Sequence, residues 1–469
     1  MKTESLITEP LGLYGWKKAE PVLLAALLSE EPLLLVGAHG CAKSFVLERL
    51  AEALGMEFRS YNASLINYDD LVGVPLPDAT RTKLEYLSSP ESIWDAEVVF
   101  IDEMPWLDTP RSNFVSALEG FWNGWASARK DVLLIVCGSA ASWIAKKLFR
   151  NRGGLHNRVT CRICLNPFTL CECESLVRER GLVMSRAEIA ECYMAFGGIP
   201  YYWRYLDKRF SVAQNLDRMF FVDGAPLADE FVELYSSLFR NSALPRKIVK
   251  ELAGRLSGMT RNDIARALGI SASGKLTDAL EALTVNGFVR KYNPFGSGSC
   301  KLVFQLVDAF SLFHFRYLAG RKPSDGNFWL RTVDTPSHRV WCGLAFERLC
   351  LLHQPQIRKT LGIDGVLVEC CAWQHRADDV HPDGAQIDLI FDRADNVINV
   401  CECKYTSEPF RIDKEYDARL AQKIGVFREV TKTRKSIHLT MITSSGLVRN
   451  EYSSRIQSEV SLDDLFTAG

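Results

Sequence analysis

Leu33-Leu34-Leu35-Val36-Gly37-Ala38-His39-Gly40-Cys41-Ala42-Lys43-Ser44 is the stretch that decides the fold. Four consecutive apolar residues with no polar alternation read as a short strand buried on both faces. Residues 43–54 then take up the apolar spacing of a helix. Strand, glycine-containing turn and helix together predict a parallel α/β layer. A loop of this kind, opening directly into a helix N-terminus, presents backbone N–H groups that cradle phosphate.

The eight residues from Gly37 to Ser44 therefore read as a P-loop, with Gly37, Gly40, Cys41 and Ala42 forming the cradle. Lys43 is expected to neutralise the β- and γ-phosphates of ATP, and the Ser44 hydroxyl to ligate Mg²⁺. Ala42 stands where the simple pattern has glycine, and a methyl group there fits if φ is negative. A second buried strand, Val98-Val99-Phe100-Ile101, ends at Asp102-Glu103. Asp102 is assigned to Mg²⁺ and Glu103 to polarising the attacking water. A third strand, residues 132–137, ends at Gly138-Ser139, which places Ser139 to sense the γ-phosphate. Arg150, Arg152 and Arg158 are candidate arginine fingers, with Arg158 preferred because it precedes a fourth strand at 159–165.

The rest of the chain is read outward from this layer. With 469 residues, 47% hydrophobic and 24% charged, it has the composition of a soluble, well-folded protein of several domains. A net charge of −1 supplies no overall basic field, so a nucleic-acid surface would have to be a local patch. No basic start leads into an apolar run, and no apolar stretch reaches the roughly 18 residues of a membrane span. With 14 scattered Cys, this points to reduced thiols and the cytoplasm, and to no membrane partner.

Residues 168–240 read as mostly helical, interrupted at Gly197-Gly198-Ile199-Pro200. Helices follow at 245–257, 260–269 and 273–286. Thr260 is placed to cap the second of these and Gly269 to end it, in the manner of a helix-turn-helix. An alternating stretch at 287–306 around Gly296-Ser297-Gly298 reads as the wing of a winged helix. The third helix would be the recognition helix. It carries Lys275 but also Asp278 and Glu281, which repel phosphate, so DNA backbone contact and a protein–protein role both stay open.

Towards the end, a helix is predicted over 336–354, strands near 365–371, 385–391 and 397–403, a helix near 414–429 and a strand near 437–443. Glu402 and Lys404 share a strand face at i, i+2, and a hairpin would bring Asp388 beside them. Asp388 and Glu402 can hold Mg²⁺, Lys404 can orient or activate water, and Glu347 on the preceding helix could complete the metal site. Helix, strands and acidic–basic pattern look like the PD-(D/E)XK nuclease core. Cys161, Cys164, Cys171 and Cys173 hint at zinc, but Cys161 and Cys164 point to opposite faces of one strand. Trp106, Trp122 and Trp125 read as packing residues.

Two family resemblances bear on these readings. GAHGCAKS (37–44), FRSYNASLINYDDLVGVPLPD (58–78) and LEYLSSPESIWDAEVVFIDE (84–103) resemble the MoxR branch of AAA+ ATPases, which also has Ala before the P-loop Lys. MPWLDTPRSNFVSALEGFWNGWA (104–126), LIVCGSAASWI (134–144), GGLHNRVT (153–160), LNPF (165–168), GGIPYYW (197–203), QIDLIFDRADNVINVCECKY (386–405) and TRKSIHLTMITSSGLVRNEY (433–452) resemble archaeal-type P-loop ATPases with a C-terminal nuclease-like domain. The change of character near residue 103 suggests a mosaic. The resemblance implies an AAA+ core over 1–167 and a helical lid closing over the nucleotide at 168–240. It further implies a winged helix at 241–310 and an α/β restriction-endonuclease-like domain at 311–469. The expected activity is ATP hydrolysis coupled to a DNA-directed nuclease-like domain, with DNA and further copies of the chain as partners. The alternative is a non-nucleolytic, MoxR-like chaperone or regulator.

Overall fold

The structure, a computed structural model, describes residues 7–29, 33–63, 74–77, 84–87, 98–102, 107–108, 112–124, 135–138, 161–239, 241–297, 301–321 and 326–468. They fall into two compact units, Met1–Pro167 with Ile199–Tyr201, and Phe168–Gly198 with Tyr202–Gly469. No helix among the described residues is long and apolar enough to cross a membrane.

The first unit holds strands β1 (Leu33–Gly37), β2 (Phe58–Asn62), β3 (Val74–Pro77), β4 (Leu84–Leu87), β5 (Val98–Asp102), β6 (Ile135–Gly138) and β7 (Cys161–Leu165). Its described helices are α1 (Glu20–Ser29), α2 (Lys43–Leu54) and α3 (Phe114–Gly124). β1 is central in a parallel β6-β1-β7 sheet, with Leu35 opposite both Cys137 and Ile163. That position explains its unbroken apolar run: Leu33, Leu34 and Leu35 are fully buried, each contributing about 1.5–3 kcal/mol of hydrophobic stabilisation. Leu23 of α1, Val46 and Leu47 of α2, and Phe100 of β5 complete this core. β2 pairs in parallel with β5, Asn62 lying opposite Asp102. The sequence reading omits β2, because Arg59, Ser60 and Asn62 break the apolar signal that a strand in an α/β layer usually gives.

The second unit opens with α4 (Leu170–Glu179), α5 (Arg186–Phe196), α6 (Val212–Phe220) and α7 (Glu230–Leu238). The first three begin in reciprocal caps: Thr169 with Glu172, Ser185 with Glu188 and Ser211 with Gln214. His353 adds a tertiary cap, its buried Nε2 accepting from the Leu170 backbone N–H at 3.0 Å while Nδ1 faces the Leu349 carbonyl at 3.0 Å. Next come α8 (Ala243–Ala253), α9 (Arg261–Leu268) and α10 (Gly274–Val285), with a small antiparallel sheet. Its strands β8 (Met259–Thr260), β9 (Val289–Tyr292) and β10 (Val303–Leu306) lie in the order β8-β10-β9. Thr260 caps α9 by accepting from the Asp263 N–H, and Gly269 ends it in the left-handed region, as expected from the sequence.

The last part combines α11 (Pro336–Leu352) and α12 (Lys414–Thr431) with β11 (Val368–His375), β12 (Ala385–Arg393), β13 (Val397–Lys404), β14 (Ser436–Thr443) and β15 (Ser458–Ser461). The strands form one sheet in chain order. β11, β12 and β13 are antiparallel neighbours, whereas β14 and β15 continue the sheet in parallel. The parallel step from β13 to β14 needs a crossover, which α12 provides. Ile390, Val400, Leu439 and Met441 pack against Leu420 and Phe427 of that helix.

Candidate functional site

The phosphate loop joins β1 to α2. Gly40 has φ 78°, and a Cβ there would lie 2.8 Å from both the Ile199 and the Tyr201 side chains. Only glycine fits that backbone and that approach. Ala42 corrects the condition set from sequence: its φ is 58° and its ψ 31°, so a left-handed residue, and not a negative φ, immediately precedes α2. The helix needs this turn to swing the chain into its first N–H groups, and alanine tolerates it at a cost of about 1–2 kcal/mol.

No side chain caps α2. Its first-turn donors are therefore left to another acceptor, as in an anion site. Lys43 is buried and donates to the Gly37 and Ala38 carbonyls at 3.2 and 3.0 Å. Among the described residues no carboxylate is in ion-pair contact with this ammonium, and phosphate is an anion that would draw it off its own loop carbonyls. Asp102 ends β5, and its field reaches the same side chains as that of Lys43. Burial lowers the basicity of His39; Lys43 lowers it further and Asp102 opposes. Burial pushes the Cys137 thiol up, with the same two charges acting in opposite senses. Burial likewise raises the Cys41 thiol to about 11, which keeps it a neutral packing group. Ser44, in the first turn of α2, and Asp102, at the end of β5, are oxygen donors of the kind that suits Mg²⁺. Glu103, Ser139, Arg150, Arg152 and Arg158 lie outside the described residues, as do Trp106, Trp125 and the Trp122 side chain.

A second constellation lies in the sheet of the second unit. β12 and β13 pair Leu389 with Cys401, so Asp388 and Glu402 come next, opposite each other on one face. Glu402 accepts from Tyr416 Oη at 2.9 Å and Lys423 Nζ at 2.7 Å, and Lys404 Nζ stands 3.2 Å away. Burial works to raise the Glu402 carboxyl, but Lys423 and Lys404 outweigh it and hold it below the ordinary carboxylate range. Glu347 on α11 is pushed up to about 7, by burial first and by Asp388 second, with Glu402 adding to the effect. Glu347, Asp388, Glu402 and Lys404 therefore share one electrostatic neighbourhood.

The donor chemistry, three carboxylates, suits a hard divalent cation. Among the described residues, however, no three His, Cys, Asp or Glu side chains are arranged to hold one metal ion. The reason at this site is visible in Glu402, whose two oxygens are turned to lysines and a tyrosine. The sequence reading missed Lys423 and Tyr416. Their spacing of seven places both on one face of α12, a signal that gains meaning only once the helix is known to cross over β13. Cys161 packs at the edge of the first unit's core, while Cys164 is exposed across β7.

A comparison with proteins of curated function found no match. Among solved structures, the Walker-type ATPase PABY2304 of Pyrococcus abyssi is similar at 16% identity, over 65% of this chain and 96% of that one, with a TM-score of 0.44. The RuvB Holliday junction branch migration motor of Thermotoga maritima is similar at 19% identity, over 61% and 89%, with a TM-score of 0.30. The ORC2 protein of Aeropyrum pernix is similar at 14% identity, over 67% and 95%, with a TM-score of 0.35. The segment that contains the phosphate loop and Asp102-Glu103, residues 32–114, matches the AAA domain family in its dynein-related subfamily.

Proposed function

We propose that the chain binds and hydrolyses ATP at the Gly37–Ser44 loop and couples its nucleotide state to a DNA-directed, nuclease-like C-terminal domain. The observation that carries the ATP site is the uncapped start of α2 together with Lys43 bound to its own loop carbonyls. In this reading the Gly37, Gly40, Cys41 and Ala42 amides and Lys43 hold the phosphates. Ser44 and Asp102 hold Mg²⁺, which supplies charge neutralisation at the phosphates. Glu103 orients water, Ser139 senses the γ-phosphate and Arg158 serves as the finger.

The domain assignment goes with it: an AAA+ core over 1–167, a lid over 168–240, a winged helix over 241–310 and a restriction-endonuclease-like domain over 311–469. The β8-β10-β9 sheet behind three helices supports the winged helix. DNA contact there is supported by charge, since residues 241–306 carry ten Lys and Arg against four Asp and Glu in a chain that is −1 overall. The order helix, three antiparallel strands, crossover helix and parallel strand supports the nuclease-like reading, with Glu347, Asp388 and Glu402 as metal ligands and Lys404 beside them. A cytoplasmic location and assembly with further copies complete the proposal.

One observation favours the second reading, a non-nucleolytic regulator. Glu402 is held by Lys404, Lys423 and Tyr416, an arrangement that needs no metal. The first test is Mg²⁺-dependent ATP hydrolysis by the wild type, Lys43→Ala and Glu103→Gln, with and without DNA. Loss of hydrolysis in both variants and stimulation by DNA are expected. An active Lys43→Ala would sink the ATP site. Asp388→Ala and Glu402→Ala should abolish DNA-directed function under the first reading and spare function under the second.

A further inference from the structure

Arg348 on α11 is buried, with 3% exposure. Its Nη2 donates to the Leu256 carbonyl at 2.5 Å, in the turn between α8 and β8. The same carbonyl accepts from Gln305 Nε2 at 2.5 Å, and Gln305 Oε1 accepts from Arg290 Nε at 2.6 Å. One carbonyl and one amide therefore join two guanidinium groups in a continuous hydrogen-bonded chain. Arg290 is half-buried and held over the Tyr292 ring, 4.4 Å from its centroid.

Both arginines are short of acceptors. Arg348 Nε and Nη1, and Arg290 Nη2, are buried without a hydrogen-bond partner. A guanidinium has two bidentate edges, Nε with Nη2 and Nη1 with Nη2. The Leu256 carbonyl takes one hydrogen of Nη2, so whichever edge of Arg348 it occupies, the other keeps two open donors. Among the described residues no carboxylate accepts from either guanidinium. The acceptors nearby are already engaged: Gln305 Oε1 by Arg290, the Leu256 carbonyl by two donors, and the Ser257 carbonyl by Tyr292 Oη at 2.9 Å. The turn has little freedom to shift and offer more, because Gly258 has φ 82° and a Cβ there would lie 2.6 Å from the Phe304 carbonyl. Buried donors left open, on a cation that has a second cation for a neighbour, are costly.

We infer that Arg348, with Arg290 beside it, forms a binding site for a small oxyanion of the inorganic phosphate or sulfate type, seated on the open edge of Arg348. A planar fork of N–H groups matches the oxygens of such an ion two at a time. The ion satisfies the orphaned donors and offsets the repulsion between the two arginines. Depth decides its size: a guanidinium exposed by 3% is out of reach of a nucleic-acid backbone, whereas the turn that covers it reaches the surface, Leu256 being 37% exposed. A small ion has a short way in beside that turn. Once bound, it ties the small sheet to α11 by filling the last donors of the chain that joins them. The site is distinct from the Gly37–Ser44 loop and depends on neither the ATP nor the DNA reading.

The test is calorimetric titration of the full chain with inorganic phosphate at constant ionic strength, in a Lys43→Ala background that weakens the phosphate loop as a competing site. One saturable site is expected. Adding Arg348→Met should abolish it, and adding Arg290→Gln should weaken it about tenfold, the loss of one charge-assisted bond. Sulfate should displace the phosphate and chloride should not. Amide hydrogen exchange of a peptide spanning residues 256–260 reports the place: at a phosphate concentration ten times its dissociation constant, exchange there should slow about tenfold. Absence of phosphate binding, the result if ordered water alone fills the open edge, overturns the inference. Binding that persists undiminished in Arg348→Met, or that leaves exchange at 256–260 unchanged, places the anion elsewhere and overturns it as well. Chloride displacing phosphate as readily as sulfate does would overturn the oxyanion assignment. Should Arg348→Met fail to fold, Arg290→Gln decides, and an unchanged affinity there is the refuting result.

Discussion

Lowering the pH from 7.5 to 5.0 should loosen the second unit through His353, and His353→Gln should remove that part of the loss. The imidazole is 1% exposed, accepts from the Leu170 N–H at 3.0 Å through Nε2, and must therefore carry its proton on Nδ1, towards the Leu349 carbonyl. Burial drives its pKa down to about 4, against the partial opposition of the Leu349 carbonyl. The unfolded chain accepts a proton near pH 6.5, which the folded chain refuses until about pH 4. Stability from this residue is thus complete above about 6.5 and drains away as the pH falls towards 4. A gap of this size corresponds to about 3 kcal/mol in full, of which about 2 kcal/mol is lost by pH 5.0. Glutamine can retain an acceptor for Leu170 and a donor for Leu349 but does not titrate. Urea unfolding at the two pH values, followed by exchange at the first turn of α4, measures the difference. Equal pH dependence in wild type and His353→Gln would refute the reasoning.

Three further perturbations probe other parts of the structure. Ala42→Gly should stabilise the first unit by about 1 kcal/mol, because glycine adopts the observed left-handed backbone without the Cβ penalty; a lowered urea midpoint would contradict this. Asp217→Ala should cost about 2–4 kcal/mol, since the buried carboxylate accepts from the Trp329 and Leu330 N–H groups at 2.6 and 3.1 Å and both donors would be orphaned. A loss under about 0.5 kcal/mol in denaturant titration would rule that account out. Lys423→Met should raise the Glu402 pKa, because burial is then opposed only by Lys404 and the Tyr416 hydrogen bond. The sign follows: the stability a depressed carboxylate pKa supplies is present at neutral pH and lost as pH falls through the folded value, so the variant should be less stable at neutral pH and lose less on acidification than the wild type. A carboxyl resonance that titrates unchanged in the variant would exclude that role.

Much of this was legible because strong local signals coincided with the observed elements. The apolar run at Leu33–Val36 became the fully buried central strand, and α2 took the bounds 43–54 that its periodicity set. Thr260 and Gly269 bracket α9 as their capping chemistry requires. The signal failed where a fold depends on partners distant in sequence. β2 carries Arg59 and Asn62 and becomes a strand only beside β5. β15 is four residues long and forms by extending a sheet already built. At the candidate sites the residue types were readable but their state was not. Periodicity carries no record of a left-handed Ala42, of Lys43 folded onto its loop, or of Lys423 reaching Glu402 from α12. His353 has no sequence signature at all, because its partner is a backbone N–H 183 positions away.

Lys43 bound to the Gly37 and Ala38 carbonyls makes the loop its own competitor. An arriving triphosphate must displace two internal bonds before it gains the ammonium, and a departing product hands the ammonium back to them. Part of the gross attraction between lysine and phosphate is therefore spent before any net affinity is recorded. If a nucleotide binds here as proposed, such a loop would favour exchange over retention, since the leaving nucleotide would abandon no bare buried charge. A protein built to respond to changing nucleotide levels gains from such a loop, whereas one built to store its ligand would not.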